Sequence, residues 1–226
     1  MPRFIMRWRE EAIDRCCASP LTCSRRPYKR AFVKEMPYVT HLGQPIGRRV
    51  AIFGAGGKSS LARAIAAKYG LRHIELDEIN HLPGWKRRPA HEIRAMLSHA
   101  MAQSPEGWVT DHSSPEASDL IFENADTLIV LDLPFPLVLW RRVRRSLTRA
   151  WRGSVVCGGN VETFRHHLLS RESAIWEAWT KRKKFGTYAE RIVAKSKRDL
   201  PCYRLTSDDE LRRFYEEQGV RFQAVE

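Results

Sequence analysis

Val50-Ala51-Ile52-Phe53-Gly54-Ala55-Gly56-Gly57-Lys58-Ser59-Ser60-Leu61 is the stretch that decides the fold. Four apolar residues read as a buried strand. A glycine-rich turn follows, and the run from Lys58 to Tyr69 reads as a helix with Leu61, Ile65 and Ala66 inward. Strand, glycine turn, Lys-Ser and helix in that order form the layout of a phosphate-binding loop. Glycines let main-chain N–H groups curl around an anion, and the helix start adds unpaired donors and the positive end of its dipole. The usual spacing is G-x-x-x-x-G-K-[ST]. Counting back from Gly57-Lys58-Ser59 places the first glycine at position 52, which is Ile52, so this loop is about two residues short. A plain glycine turn without a ligand is the competing interpretation.

The pattern continues outward from that loop. Gly70 stands where a helix-ending glycine belongs. His73-Ile74-Glu75-Leu76 reads as a second strand ending at Asp77. Pro89 opens a helix with Ile93, Met96, Leu97, Ala100 and Met101 at helical spacing. Trp108-Val109-Thr110 is a third strand ending at Asp111, followed by Ser114-Pro115 as a helix start. Thr127–Leu131 is a fourth strand ending at Asp132. Pro136–Arg149 is a long basic helix, and a glycine-bearing loop spans Arg152–Asn160. Helix is expected over about Val161–Lys183 and again near Tyr188–Lys195. Cys202–Leu205 is the fifth strand. Ser207 and Glu210 form a capping box that opens the last helix, with Leu211 and Phe214 inward. Five alternations of strand and helix predict an α/β fold: a five-stranded parallel sheet with helices on both faces, three layers in all. Ligands gather at the carboxyl ends of such strands. Gly54, Asp77, Asp111 and Asp132 are therefore expected along one rim.

Composition narrows the class. The chain has 226 residues and a net charge of +13. No apolar run approaches the roughly 20 residues that span a membrane. Residues 1–49 hold eleven Lys/Arg against four Asp/Glu, more than half of the net charge, together with five prolines and no sustained periodicity. They read as a basic, disordered or loosely docked N-terminal extension, with translation from Met36 as an alternative; the domain proper is placed at 50–226. The five cysteines (Cys16, Cys17, Cys23, Cys157 and Cys202) form no repeated C-x-x-C pair. Reduced thiols and the lack of a secretory h-region point to a cytoplasmic protein. The charge keeps nucleic acid open as a second class of partner, although no helix-turn-helix or RNA-binding signature is present.

Several ordered motifs resemble those of the adenylate-kinase-related P-loop kinases, and most closely the bacterial topology modulation protein group. They are the loop itself, Glu75-Leu76-Asp77 running into Leu82-Pro83-Gly84-Trp85, Trp108-Val109-Thr110-Asp111, and Asp126 to Pro134, with Gly159-Asn160 beyond the basic helix. The likeness covers about residues 50–218. It departs where relatives read D-G-N-Y after the third strand and this chain reads Asp111-His112-Ser113-Ser114. The resemblance implies a P-loop NTPase fold with a helical lid at about 145–165, binding ATP and Mg²⁺ and transferring a phosphoryl group as a monomer or homodimer. It transfers a reaction class and leaves the acceptor open, as a small molecule or a nucleotide. A nucleotide-binding regulator without kinase activity, or a basic nucleic-acid-associated protein, are the alternatives.

Roles follow from phosphoryl-transfer chemistry. Gly54, Ala55, Gly56, Gly57, Lys58, Ser59 and Ser60 are the expected nucleotide-binding set. Lys58 is the catalytic cation, and Ser60 contacts a phosphate or merely caps the helix. Ser59 and Asp111 are the expected Mg²⁺ ligands; a turn aspartate is the plainer reading of Asp111. Asp77 is expected to orient an acceptor hydroxyl or take its proton. Asp132 is expected to satisfy main-chain groups behind the loop. Of the run Arg141, Arg142, Arg144, Arg145, Arg149 and Arg152, the resemblance favours Arg149 and Arg152 as catalytic lid arginines. Arg165, Arg182 and Lys183 are weaker candidates, and His81 and Trp85 are candidates for an acceptor pocket. His112 beside Asp111 and Ser113 reproduces no hydrolase triad. The reading requires a glycine loop that is open, with its ammonium not locked on an internal carboxylate.

Overall fold

The computed structural model describes residues 41–83, 86–112, 114–152, 155–156, 160–161, 180, 188–196 and 200–221; of positions 146, 149–152, 155–156 and 160–161 only the main chain is described. The elements in chain order are β1 (Arg49–Gly54), α1 (Lys58–Tyr69), β2 (Arg72–Ile74), α2 (Leu76–Asn80), β3 (His81–Leu82), β4 (Lys86–Arg87), α3 (Ala90–Ala102) and β5 (Trp108–Asp111). A 3-10 turn (Pro115–Ala117) leads into α4 (Ser118–Asn124), then β6 (Thr127–Leu131), α5 (Phe135–Arg152), β7 (Val155–Val156), β8 (Asn160–Val161), α6 (Tyr188–Ser196), β9 (Cys202–Leu205) and α7 (Asp208–Glu217).

Five strands form one parallel sheet in the order β2-β5-β1-β6-β9. Val50 to Phe53 and every residue of β6 are buried. Residues of a strand point alternately to the two faces, and both faces of this sheet are covered. Val50 and Ile52 join Leu61, Ile65, Val138, Leu211 and Phe214 in one core. Ala51 and Phe53 join Ile93, Leu97, Ile121, Phe122, Ala189 and Ile192 in the other. Thus α1, α5 and α7 cover one face, and α3, α4 and α6 cover the other. The fold is mixed α/β with a central five-stranded parallel sheet. No helix among the described residues is long and apolar enough to cross a membrane.

Several local expectations need correction. The second strand stops at Ile74, and Leu76–Asn80 is a helix, so Asp77 lies in a first helical turn and not at a strand end. A four-residue apolar-polar alternation does not separate a strand from a helix start. Ser114 stands at the N-cap position with Pro115 after it, as expected, but its hydroxyl caps no amide and donates to Glu116 Oε2 at 2.9 Å. Met96 is exposed, and Ala62 and Ala64 join Leu61 and Ile65 in the core, with Ala66 packed against it at partial burial. Val161, read as the start of a helix, pairs Val155 in the β7–β8 hairpin; most of the helix expected to follow lies outside the described residues. The capping box of α7 forms, with Glu210 N donating to Ser207 Oγ at 3.1 Å, while the Glu210 carboxylate accepts from Thr206 N at 2.7 Å.

Residues assigned in sequence to the extension also join the fold. Ile46 is in the core, Gln218 donates to the carbonyls of Leu42 and Gln44 at 2.6 and 2.7 Å, and the Tyr203 hydroxyl donates to Gln44 O at 2.8 Å. Residues 1–40 lie outside the described residues.

Candidate functional site

The chain leaves β1 into α1 on one face of the sheet and leaves the neighbouring β5 into α4 on the other. Adjacent strands whose connections part in this way leave a crevice at their carboxyl ends. The glycine turn and Asp111 occupy that crevice, with Ile52 in register with Asp111.

Gly56 and Gly57 have φ of 83° and 143°, angles that L side chains rarely adopt. Helix α1 starts without a side-chain cap and has no acidic residue in its first turn. Among the described residues, no protein acceptor takes a hydrogen bond from the main-chain amides of Ala55 to Ser60. The last helix of the same fold, α7, carries both a cap and three acidic residues in its first turn. Six successive unclaimed donors at a helix start form a place for an anion.

Lys58 is partly exposed along its length, but its ammonium lies deep and donates to the His112 carbonyl at 2.9 Å. Burial lowers its pKa; Asp77 and Asp111 oppose that shift, and Arg142 and Arg145 add to it. The ammonium is therefore held by a main-chain carbonyl, with two carboxylates and two guanidinium groups close enough to act on it. Asp77 reaches this neighbourhood from α2 despite its misassigned element.

Ser59 donates its hydroxyl to Asp111 Oδ2. The other oxygen, Asp111 Oδ1, is buried and has no hydrogen-bond partner. His73 Nε2 stands 3.8 Å from it, an electrostatic neighbour beyond hydrogen-bond reach. His73 Nδ1 is in turn 3.3 Å from Glu75, which pairs Arg63 at 3.5 Å. Burial raises the Asp111 pKa, but His73, Ser59 and Lys58 outweigh it, and the carboxyl sits below its ordinary value. A hydroxyl beside an ionised carboxylate with one unsatisfied buried oxygen fits Mg²⁺, which needs few protein ligands when it keeps water and phosphate oxygens. Among the described residues no group of three or more His, Cys, Asp or Glu could hold a metal.

His112 does no visible acid–base work. Its ring lies 4.7 Å from the Phe53 ring, and Nε2 is 3.0 Å from the Ser118 hydroxyl. Burial, then Lys58 and Lys195, push its pKa down to about 3 from 6.5. The folded chain refuses a proton that the unfolded chain accepts, so stability falls as pH drops from about 6.5 towards about 3, by at most about 1.4 kcal/mol per pH unit. His112→Gln should flatten the thermal-stability profile in that window. A slope equal to that of the unsubstituted protein would remove His112 as its source.

The basic run of α5 contributes differently from expectation. Arg141 donates from one nitrogen to the Gly56 carbonyl and from another to Asp208. Arg142 and Arg145 act on Lys58. Arg149 and Arg152 continue the helix, and their side chains lie outside the described residues, as do Trp85, Arg165, Arg182 and Lys183. Sequence reasoning passed over Arg141. The available signal was its place one turn after Val138, which is fully buried. Also missed was Tyr188 of α6, whose hydroxyl the Gly54 backbone influences. His81 Nδ1 lies 3.1 Å from the Asp77 carbonyl. Asp132, expected to serve main-chain groups, pairs through Oδ2 with Arg204 at 2.6 and 3.0 Å. In comparisons with known proteins, no family model and no curated sequence matches the chain.

Proposed function

We propose that this chain is a P-loop phosphotransferase of three-layer α/β/α architecture that moves the γ-phosphoryl group of Mg·ATP to a small acceptor. The single observation that carries the reading is the row of unclaimed amides from Ala55 to Ser60, set beside the Lys58 ammonium at an uncapped helix start. These donors would hold the phosphate oxygens, and Lys58 would turn from the His112 carbonyl to the transferring group, where negative charge is redistributed. Ser59 and Asp111 would hold Mg²⁺, which neutralises charge on the β- and γ-phosphates. Asp77 would take the acceptor's proton as the new P–O bond forms and the bond to the ADP oxygen breaks. Arg142 and Arg145, with Arg149 and Arg152 following at helical spacing, would close over the phosphates as part of a lid. Most of the rate would come from positioning and fixed charge.

The test is ADP release from Mg·ATP across a panel of hydroxyl-bearing and nucleotide acceptors. Activity with one class is the expected result; ATP binding without ADP release from any acceptor would leave a nucleotide-binding regulator. In the active pair, Asp111→Asn should raise the Mg²⁺ concentration needed for half-maximal rate by roughly tenfold or more. Unchanged Mg²⁺ dependence would remove Asp111 from the metal site.

A further inference from the structure

The Arg141 side chain ties the glycine loop to a distant element. Its guanidinium donates to the carbonyl of Gly56 and to the carboxylate of Asp208, which belongs to the first turn of α7. It also lies along the loop. A Cβ placed on Gly56 would come 3.6 Å from Arg141 Cδ, and one on Gly57 would come 3.5 Å from Arg141 Nη1. The pair is partly buried, with side-chain exposures of 29% and 38%, so neither group waves freely in solvent.

The consequence comes from peptide geometry. The Gly56 carbonyl and the Gly57 N–H belong to one planar trans unit and point in opposite directions. Fixing the carbonyl on Arg141 therefore turns the Gly57 N–H away from α5, and that N–H has no acceptor among the described residues. Glycines flank both sides of this peptide, so the local backbone does little to stop it from turning over. A loop two residues short also has less of its own length to define it. Arginine suits the task because its planar fork makes two directed hydrogen bonds at once, which an ammonium on a flexible stem does not.

We infer that Arg141, braced by Asp208, is a positioning residue that locks the Gly56–Gly57 peptide with its N–H presented to a bound phosphate. The inference rests on the phosphate-site reading above and adds to it a residue that touches no ligand.

Inorganic pyrophosphate, titrated by calorimetry into the full chain, separates the possibilities. Arg141→Lys and Asp208→Asn should each weaken its binding, by roughly tenfold, and the double variant should bind little worse than the weaker single one, because the two side chains act as a unit. Asp208→Asn is the decisive variant. It makes the protein more positive, so a simple long-range attraction between charges would tighten anion binding, whereas loss of the brace weakens it. Thermal melting of each variant reports that the fold is kept. Tighter or unchanged binding by Asp208→Asn, or full affinity in Arg141→Lys, would overturn the bracing role while leaving the site in place. Absence of pyrophosphate binding by the unsubstituted protein would overturn the site reading and the brace with it.

Discussion

Lys58→Met is expected to lower the affinity for Mg·ATP by about 100-fold or more, while the melting temperature of the ligand-free protein moves by less than about 3 °C. The first half follows from the place of Lys58 within the row of unclaimed amides, with a deep ammonium that a bound phosphate would draw from the His112 carbonyl. The second half follows from its energetics without a ligand. Burial is the largest influence on its pKa, and it acts against the charged form. The folded chain holds that proton less firmly than the unfolded chain does, so the charge costs stability at every pH below the ordinary lysine pKa, and that cost declines as pH rises. Methionine keeps the unbranched stem, one atom shorter, and removes this cost. Against the gain stands the lost hydrogen bond to the His112 carbonyl, of the order of 1.5–3 kcal/mol for a charged donor, and the loss of a cation beside Asp77 and Asp111. These terms oppose one another, and a small net change is the expected result. Scanning calorimetry at pH 7 and ATP titration check both halves together. A melting temperature lowered by about 10 °C would make Lys58 a structural strut; an unchanged ATP affinity would remove the glycine loop from the site.

The five sheet strands were legible because both faces of the sheet are covered, so central strands are apolar without interruption. Val50–Phe53 and Thr127–Leu131 show this directly. The glycine loop and Asp111 were legible because strand ends are marked by a change from apolar to special residues. Other parts depend on contacts that leave no local mark. Asp132 pairs with Arg204, 72 residues away, brought near by the register of β6 with β9. Arg141 could be placed on the buried side of α5, but its reach to Gly56 depends on how α5 crosses the loop. The segment from Leu42 to Ile46 read as extension because two of its anchors are main-chain carbonyls, which any sequence supplies. Charge alone could not rank the arginines of α5, since six of them share one helix and each has the same formal charge.

Gly54→Ala is the substitution with the largest expected effect on folding, and the contrast with Gly56→Ala explains why. Gly54 ends the central strand β1 at φ 106°, in register with Leu131 of the neighbouring strand β6. A Cβ there would sit 2.1 Å from the Leu131 carbonyl oxygen and 2.8 Å from its carbon. Those atoms are main chain, and β6 is paired with β1 on one side and β9 on the other, so the oxygen cannot retreat without opening the sheet. Gly56 also has positive φ, at 83°, but its Cβ would first meet Val138 Cγ2 at 3.4 Å and Arg141 Cδ at 3.6 Å, both side-chain atoms at ordinary or slightly tight distances. Backbone strain of about 1–2 kcal/mol applies at both positions. Overlap with fixed main chain applies only at Gly54. Gly54→Ala should therefore lose more than about 4 kcal/mol in urea denaturation, a large share of the stability of a domain this size. Gly56→Ala should lose only about 1–2 kcal/mol and remain folded. Comparable losses would mean that conformational strain alone sets the cost, and that the approach of the β1 end to β6 is looser than these distances. The comparison also bears on the site. The close contact at Gly54 fixes where the loop leaves the sheet, and every amide from Ala55 onward is placed relative to that exit.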